Sequence, residues 1–226
     1  MAGATSDAHR ERDGAGGPPV FREAYFSTFI FYSDIDDAEA LNRTLLSAIR
    51  AERAKDEVGV VRSNVPTLGG WHSHDQLHSD PDFAPLTDRI HTFSAEIARS
   101  LDYDPAWPLT IDNMWAIVNP PGSHNVSHIH PNSLWSGVYY VQAPSKAGKI
   151  QFTDPRTQHV MQTPRLDPAA TPNSDSWIDV FYEPTPGRML LFPSWLYHSV
   201  GPNLSEEKGE AGERVVISFN MFQKKS

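Results

Sequence analysis

Apolar positions along the chain fall into two helical stripes followed by a run of short strands. Over 37–52 they recur at spacings of three and four (Leu41, Leu45, Ala48, Ile49), the signature of a helix with one buried face. Residues 34–37 supply cap-forming aspartates just ahead of it. A second stripe, Phe83, Leu86, Ile90, Phe93, Ile97 and Leu101, predicts a helix over 83–101, introduced by Asp80 and Pro81. Both stripes are expected to pack against a sheet. Ahead of them, 21–32 alternates aromatic with small or polar residues and predicts one or two strands. From Leu109 onward the texture changes. Strand-like runs at 113–119, 126–130, 135–141, 149–153, 177–182, 188–192, 196–200 and 214–222 are separated by Pro, Gly, Asn and Ser, which predicts a β-sandwich or barrel. The expected fold is mainly β with flanking helices: a jelly-roll core over about 109–222 with two supporting helices within about 37–101. It forms a single domain over 20–226 behind a disordered tail, 1–19, that is rich in Gly, Ala, Asp and Arg. A Pro-rich insertion at 155–176 is expected to be a binding loop or lid.

Composition narrows the chemistry. A net charge of -9 over 226 residues, with no basic cluster beyond Lys224 and Lys225, argues against nucleic-acid binding. No apolar run approaches the ~20 residues that span a bilayer. The N-terminus lacks an apolar signal-peptide core, so the cytoplasm is the expected compartment. With no cysteine, thiolate ligands and thiol nucleophiles are excluded, and any metal must be held by His, Asp, Glu or carbonyl oxygen.

Histidine is the residue that stands out. Of ten histidines, six fall in two groups, His72, His74, His78 and His124, His128, His130. His128 and His130 sit two apart on a predicted strand, so both rings can reach one point, and a metal ion is the usual reason for that arrangement. The weaker His72-x-His74 pair lies in a Gly-rich loop, expected to line a pocket mouth. A jelly roll can bring its second and seventh strands side by side. That would add His198 to the pair and leave one face of a divalent metal open for substrate, cosubstrate and O2. Arg214 on the eighth strand could bind a carboxylate in bidentate fashion, with Ser218 and Asn220 on the same face. Of Tyr139 and Tyr140 one must face inward, and Tyr139 is the candidate to hydrogen-bond a bound ligand. His124, Asp154, Arg156, Arg62 and Trp71 complete the candidates, as substrate contacts or supports.

The motif order resembles the Fe(II)/2-oxoglutarate-dependent oxygenases of the double-stranded β-helix fold, and more narrowly a bacterial and phage branch without a defined substrate. Three stretches carry the narrower resemblance: His128-Ile-His-Pro-Asn-Ser-Leu-Trp-Ser-Gly-Val-Tyr-Tyr-Val, Gly148-Lys-Ile-Gln-Phe-Thr-Asp-Pro-Arg and Gly187-Arg-Met-Leu-Leu-Phe-Pro-Ser-Trp-Leu-Tyr-His. Arg62-Ser-Asn and Gly70-Trp-His-Ser add to it. The resemblance implies Fe(II) on His128, His130 and His198, Arg214 on the far carboxylate of 2-oxoglutarate, and hydroxylation of an unidentified small-molecule or peptide substrate with O2, releasing succinate and CO2. A homodimer is an open alternative to a monomer. The wider superfamily has Asp or Glu where this chain has His130. Either three imidazoles hold the metal, or a carboxylate such as Asp154 replaces one. Two other readings stand beside this one: a cupin-type metalloenzyme that does not use 2-oxoglutarate, suggested by Gly122 ahead of His128-x-His130, and a non-catalytic metal-binding β-sandwich.

Overall fold

The computed structural model describes residues 21–162, 164–171 and 176–225. The predicted tail therefore lies outside the described residues, as does part of the 155–176 insertion. Among the described residues ten strands form: β1 (Phe31–Asp34), β2 (Trp71–His72), β3 (Leu109–Asn119), β4 (Asn125–His128), β5 (Trp135–Gln142), β6 (Ile150–Thr153), β7 (Asp179–Tyr182), β8 (Arg188–Pro193), β9 (His198–Val200) and β10 (Arg214–Gln223). The helices are α1 (Ala38–Lys55), α2 (Gly59–Arg62), α3 (Ala84–Ser100) and the single turn α4 (Thr157–Met161). Each of the eight strands expected after Leu109 is present. The strand expected over 21–32 survives only from Phe31, while Phe21, Tyr25, Phe26 and Phe29 are exposed. β1 is an edge strand whose ladder to β8 begins at Phe31↔Leu191, and alternation without a pairing partner does not make a strand.

The strands divide into a six-stranded sheet, in the order β1-β8-β5-β10-β3-β2, and a four-stranded sheet, β4-β9-β6-β7. The pairings within both sheets are antiparallel. Alternation along β10, which is central in the larger sheet, sorts the interior. Val215, Ile217, Phe219 and Met221 join Leu41, Leu45 and Ile49 of α1 and Leu86, Ile90 and Ile97 of α3 in one apolar core. The intervening residues turn to the other face, where Val216 packs with Val138, Tyr140, Ile150, Phe152, Leu190 and Phe192 between the two sheets. Both helical stripes thus pack against the larger sheet, as their periodicity predicts. The helices cover one face of that sheet, and the smaller sheet covers the other.

The β5–β10 contact is too close for any side chain on the β5 partner. Gly137 lies opposite Phe219 in the ladder, and a Cβ at Gly137 would come within 2.2 Å of the Phe219 ring. Gly137→Ala is therefore expected to cost about 1–3 kcal/mol through overpacking. The measurement is a lower urea midpoint at unchanged slope, and an unaltered midpoint would show that the ring moves aside freely.

Candidate active site

Between the two sheets lies a cavity of about 270 Å³, and the three histidines stand together in its wall. The pairing of β4 with β9 sets His128 directly opposite His198. His130 lies just beyond the end of β4 and is held there by its backbone N–H, which donates to the Ser194 carbonyl at 2.9 Å. One ligand atom from each ring falls within 4.8 Å of the others, and no carboxylate joins the group among the described residues. Ring centroids are 4.3 Å apart for His128 and His198, 5.1 Å for His128 and His130, and 5.2 Å for His130 and His198. Nδ1 of His128 lies 2.8 Å from the Val126 carbonyl, and Nδ1 of His198 lies 2.9 Å from the Leu196 carbonyl. A carbonyl can only accept, so both rings carry their proton on Nδ1 and leave Nε2 with a free lone pair. Burial pushes His130 down to about 4 and His198 down to about 3, and the neighbouring imidazoles add to both shifts. Neutral rings with converging lone pairs are the donor set that a divalent cation requires.

Arg214 enters the same cavity from β10 and is 1% exposed. Its Nη1 donates to the carbonyls of Ala147 and, at 3.2 Å, Gly201. Those two carbonyls can converge because Gly148 (φ +87) abuts Gly201, where a Cβ would meet the Gly201 oxygen at 2.2 Å. Arg214 Nη2 is buried with no hydrogen-bond partner among the described residues. Glu213, its neighbour in sequence, pairs instead with Arg53 at 2.8 Å. Burial lowers the guanidinium to about 10, so it remains charged at neutral pH. A buried cation with a free donor in a cavity is poised to meet an anion, because an unpaired charge in the interior is costly.

Several candidates take other positions. Tyr140, not Tyr139, lines the cavity. Tyr139 points to the helical side and donates to Asn42 Oδ1 at 2.6 Å, because the pleat sends Tyr139 and Ile217 one way and Tyr140 and Val216 the other. Ser218 lines the cavity, whereas Asn220 is bonded to Ser136 at 2.7 Å and Asn113 at 2.9 Å and does not. Asp154 is absent from both the cavity wall and the metal group, since its carboxylate is engaged by Arg156 and His159 at 2.8 and 2.6 Å. Arg156 beside it holds that carboxyl well below the usual range. Arg156 is exposed on that pair and does not line the cavity either. His124 is exposed outside the cavity, and the next residue, Asn125 at the start of β4, lines it instead. Trp71 is buried on the core side with Nε1 donating to the Asp56 carbonyl at 3.1 Å. Its neighbour His72 faces the cavity, as does Arg62. Sequence patterning had no signal for Asn119 and Asn125, whereas Val216 follows from its even spacing between Arg214 and Ser218.

Residues 113–220 match the family described as "Putative 2OG-Fe(II) oxygenase". No curated protein sequence matches the chain at a significant level. Among solved structures, a prolyl-4-hydroxylase from Pseudomonas putida aligns at TM-score 0.57 and 15% identity, over 86% of this chain and 92% of that one. The non-haem alpha-ketoglutarate-dependent epimerase SnoN from nogalamycin biosynthesis aligns at TM-score 0.60 and 13% identity, over 86% and 78%. AviO1 from Streptomyces viridochromogenes Tue57 aligns at TM-score 0.52 and 14% identity, over 86% and 89%. At these identities the likeness is one of fold, and it is the double-stranded β-helix. The stretch matched by the 2OG-Fe(II) oxygenase family, 113–220, is the one that carries the three histidines and Arg214.

Proposed function

We propose that His128, His130 and His198 hold Fe(II), that Arg214 receives the distal carboxylate of 2-oxoglutarate with Ser218 alongside, and that the protein hydroxylates a substrate C–H bond. The observation that carries this reading is one cavity with three converging imidazoles and a buried guanidinium whose Nη2 has no partner among the described residues. Iron with its cosubstrate supplies the oxidising power: O2 is consumed, 2-oxoglutarate becomes succinate and CO2, one oxygen atom enters succinate and the other enters the substrate. The chain's residues position and shield. The Val126 and Leu196 carbonyls fix two histidine tautomers, and Ser194 fixes the backbone of the third. Phe152 and Phe192 pack against His198 at 6.0 and 4.7 Å between centroids and keep water from its ring. Tyr140 closes the floor beside Arg214. With His130 in place of a carboxylate, the ligand set adds no negative charge, and bound 2-oxoglutarate is its source. SnoN has been solved with Fe3+ and alpha-ketoglutarate, which supports this pair of ligands on the fold. A cupin-type enzyme or a non-catalytic sandwich would leave the unpartnered Arg214 donor without a role.

Anaerobic addition of Fe(II) and then 2-oxoglutarate should raise a weak visible charge-transfer band only when both are present, since a 2-oxo acid chelates the metal. Arg214→Ala should retain iron but bind 2-oxoglutarate about 2–5 kcal/mol more weakly, at least ~30-fold. Equal affinity in the variant would remove Arg214 from the site.

His198→Ala should keep the wild-type circular dichroism while its metal affinity drops at least ~10-fold. Full iron occupancy in the folded variant would refute the ligand set.

The buried imidazoles also set a pH dependence in the metal-free protein. Folded His130 and His198 stay neutral down to about 4 and 3. In the unfolded chain they protonate near ~6.5. Below that pH the unfolded state binds more protons, so stability falls as pH drops from about 6.5 toward 4. The urea midpoint should be lower at pH 5 than at pH 7, with a smaller drop in His198→Gln. An equal drop in both would show that His198 is not the group responsible.

A further inference from the structure

The cavity contains two guanidinium groups, and the proposed cosubstrate site uses one. Arg62 stands at the mouth with Asn64 and His72. Its guanidinium is held from two sides: Nε donates to the His72 carbonyl at 3.2 Å, and Nη2 donates to the Asp56 carboxylate. Asp56 is itself anchored, accepting from the Gly59 N–H at 3.2 Å, while its carbonyl takes the Trp71 indole N–H. Neither Arg62 contact uses Nη1.

Register separates Arg62 from Arg214. His72 lies opposite Ile117, and Ile117 lies opposite Val216, so the wall that holds Arg62 is two strands from β10. At ordinary strand spacing that is roughly 10 Å. Trp115 bridges the gap. It stacks on His72 at 5.8 Å and 11°, and its ring lies 6.0 Å from that of His130. A molecule anchored at Arg62 would lie across Trp115 with its far end toward the histidines.

Charge says what kind of molecule this is. The chain has 28 Asp and Glu against 19 Lys and Arg, yet none of those acids lines the cavity among the described residues. With three neutral ligands the metal keeps both of its charges. Arg214 makes three positive charges, of which 2-oxoglutarate offsets two, and the excess favours a further anion. Arg62 shares its charge with Asp56 and is flanked by an amide, and among the described residues the cavity wall holds no Lys and no Arg besides Arg62 and Arg214. That suits a planar monoanion better than a phosphate dianion. Building on the iron and 2-oxoglutarate assignment, we propose that the substrate is a carboxylate-bearing small molecule. Arg62, fixed by Asp56 and the His72 carbonyl, binds its carboxylate at the β2 edge of the cavity.

Acetate and acetamide, alike in shape but not in charge, probe this site. Protein saturated with Zn(II) and 2-oxoglutarate has its inner site filled without turnover, and ligand-observed NMR then follows each probe. Saturable acetate binding is expected, at least ten-fold weaker in Arg62→Gln and less weakened in Arg62→Lys, which keeps the charge but not the fork, with no saturable binding of acetamide. The inference is overturned if acetate does not bind, if acetamide binds as well, if Arg62→Gln binds acetate unchanged, or if inorganic phosphate binds more tightly than acetate. A second measurement needs no variant: phenylglyoxal labelling of Arg62 in the wild type, mapped by mass spectrometry, should slow in acetate, and an unchanged rate also overturns it. The Fe(II)/2-oxoglutarate band separates the two readings. Its absence from the wild type refutes the inner site, whereas its presence with acetate binding independent of Arg62 refutes this inference alone.

Discussion

The pleat of β10 is the constraint on which the rest of the molecule depends. Successive side chains on a strand must point to opposite faces. On this central strand, one set seals the sheet against α1 and α3, while the other set builds the floor of the cavity. Arg214, Val216 and Ser218 are cavity residues because Val215, Ile217 and Phe219 are core residues. A shift of one residue in register would bury Arg214 among the aliphatic side chains of the helical core and expose the core set to the cavity. The site is therefore held in place by the whole apolar interior of the larger sheet.

The smaller sheet contributes a different constraint. Its β4–β9 ladder brings His128 to His198 across the chain, and backbone carbonyls in the same segments set the tautomers of both rings. Burial keeps His130 and His198 neutral, and Arg214 stays charged at neutral pH despite its burial. A chain with net charge -9 thus encloses a cavity whose formal charges are positive, with its acids turned elsewhere. Asp154 faces Arg156 and His159, Glu213 faces Arg53, and Asp56 restrains Arg62 from behind. This segregation leaves the cations of the cavity free for the proposed anionic ligands.

Much of this was legible before any coordinates. The helical stripes, the eight strands after Leu109 and the His128-x-His130 pair all come from local periodicity, which is a property of neighbouring residues. The resemblance to 2-oxoglutarate oxygenases rested on motif order, which survives when overall identity is low. Three of the departures share one reason. Tyr139 against Tyr140, Trp71 against His72, and His124 against Asn125 are choices of parity between adjacent residues. Periodicity gives alternation but not its absolute phase, unless a partner strand is known.

The sequence by itself therefore determined which elements form and which residue types were available for metal and anion binding: no cysteine, paired histidines, and an arginine on the last strand. Tertiary structure decided which of them meet. Gly148 at φ +87 lets two carbonyls converge on Arg214, and the ladder sets His198 opposite His128. The hydrogen bonds of Asp154 withdraw it from the metal, and β2 at the sheet edge brings His72 and Arg62 to the cavity. The physical reason is separation along the chain. Arg62, His128, His198 and Arg214 are far apart in sequence, and only the pairing of strands, which depends on packing everywhere at once, fixes the distances between them.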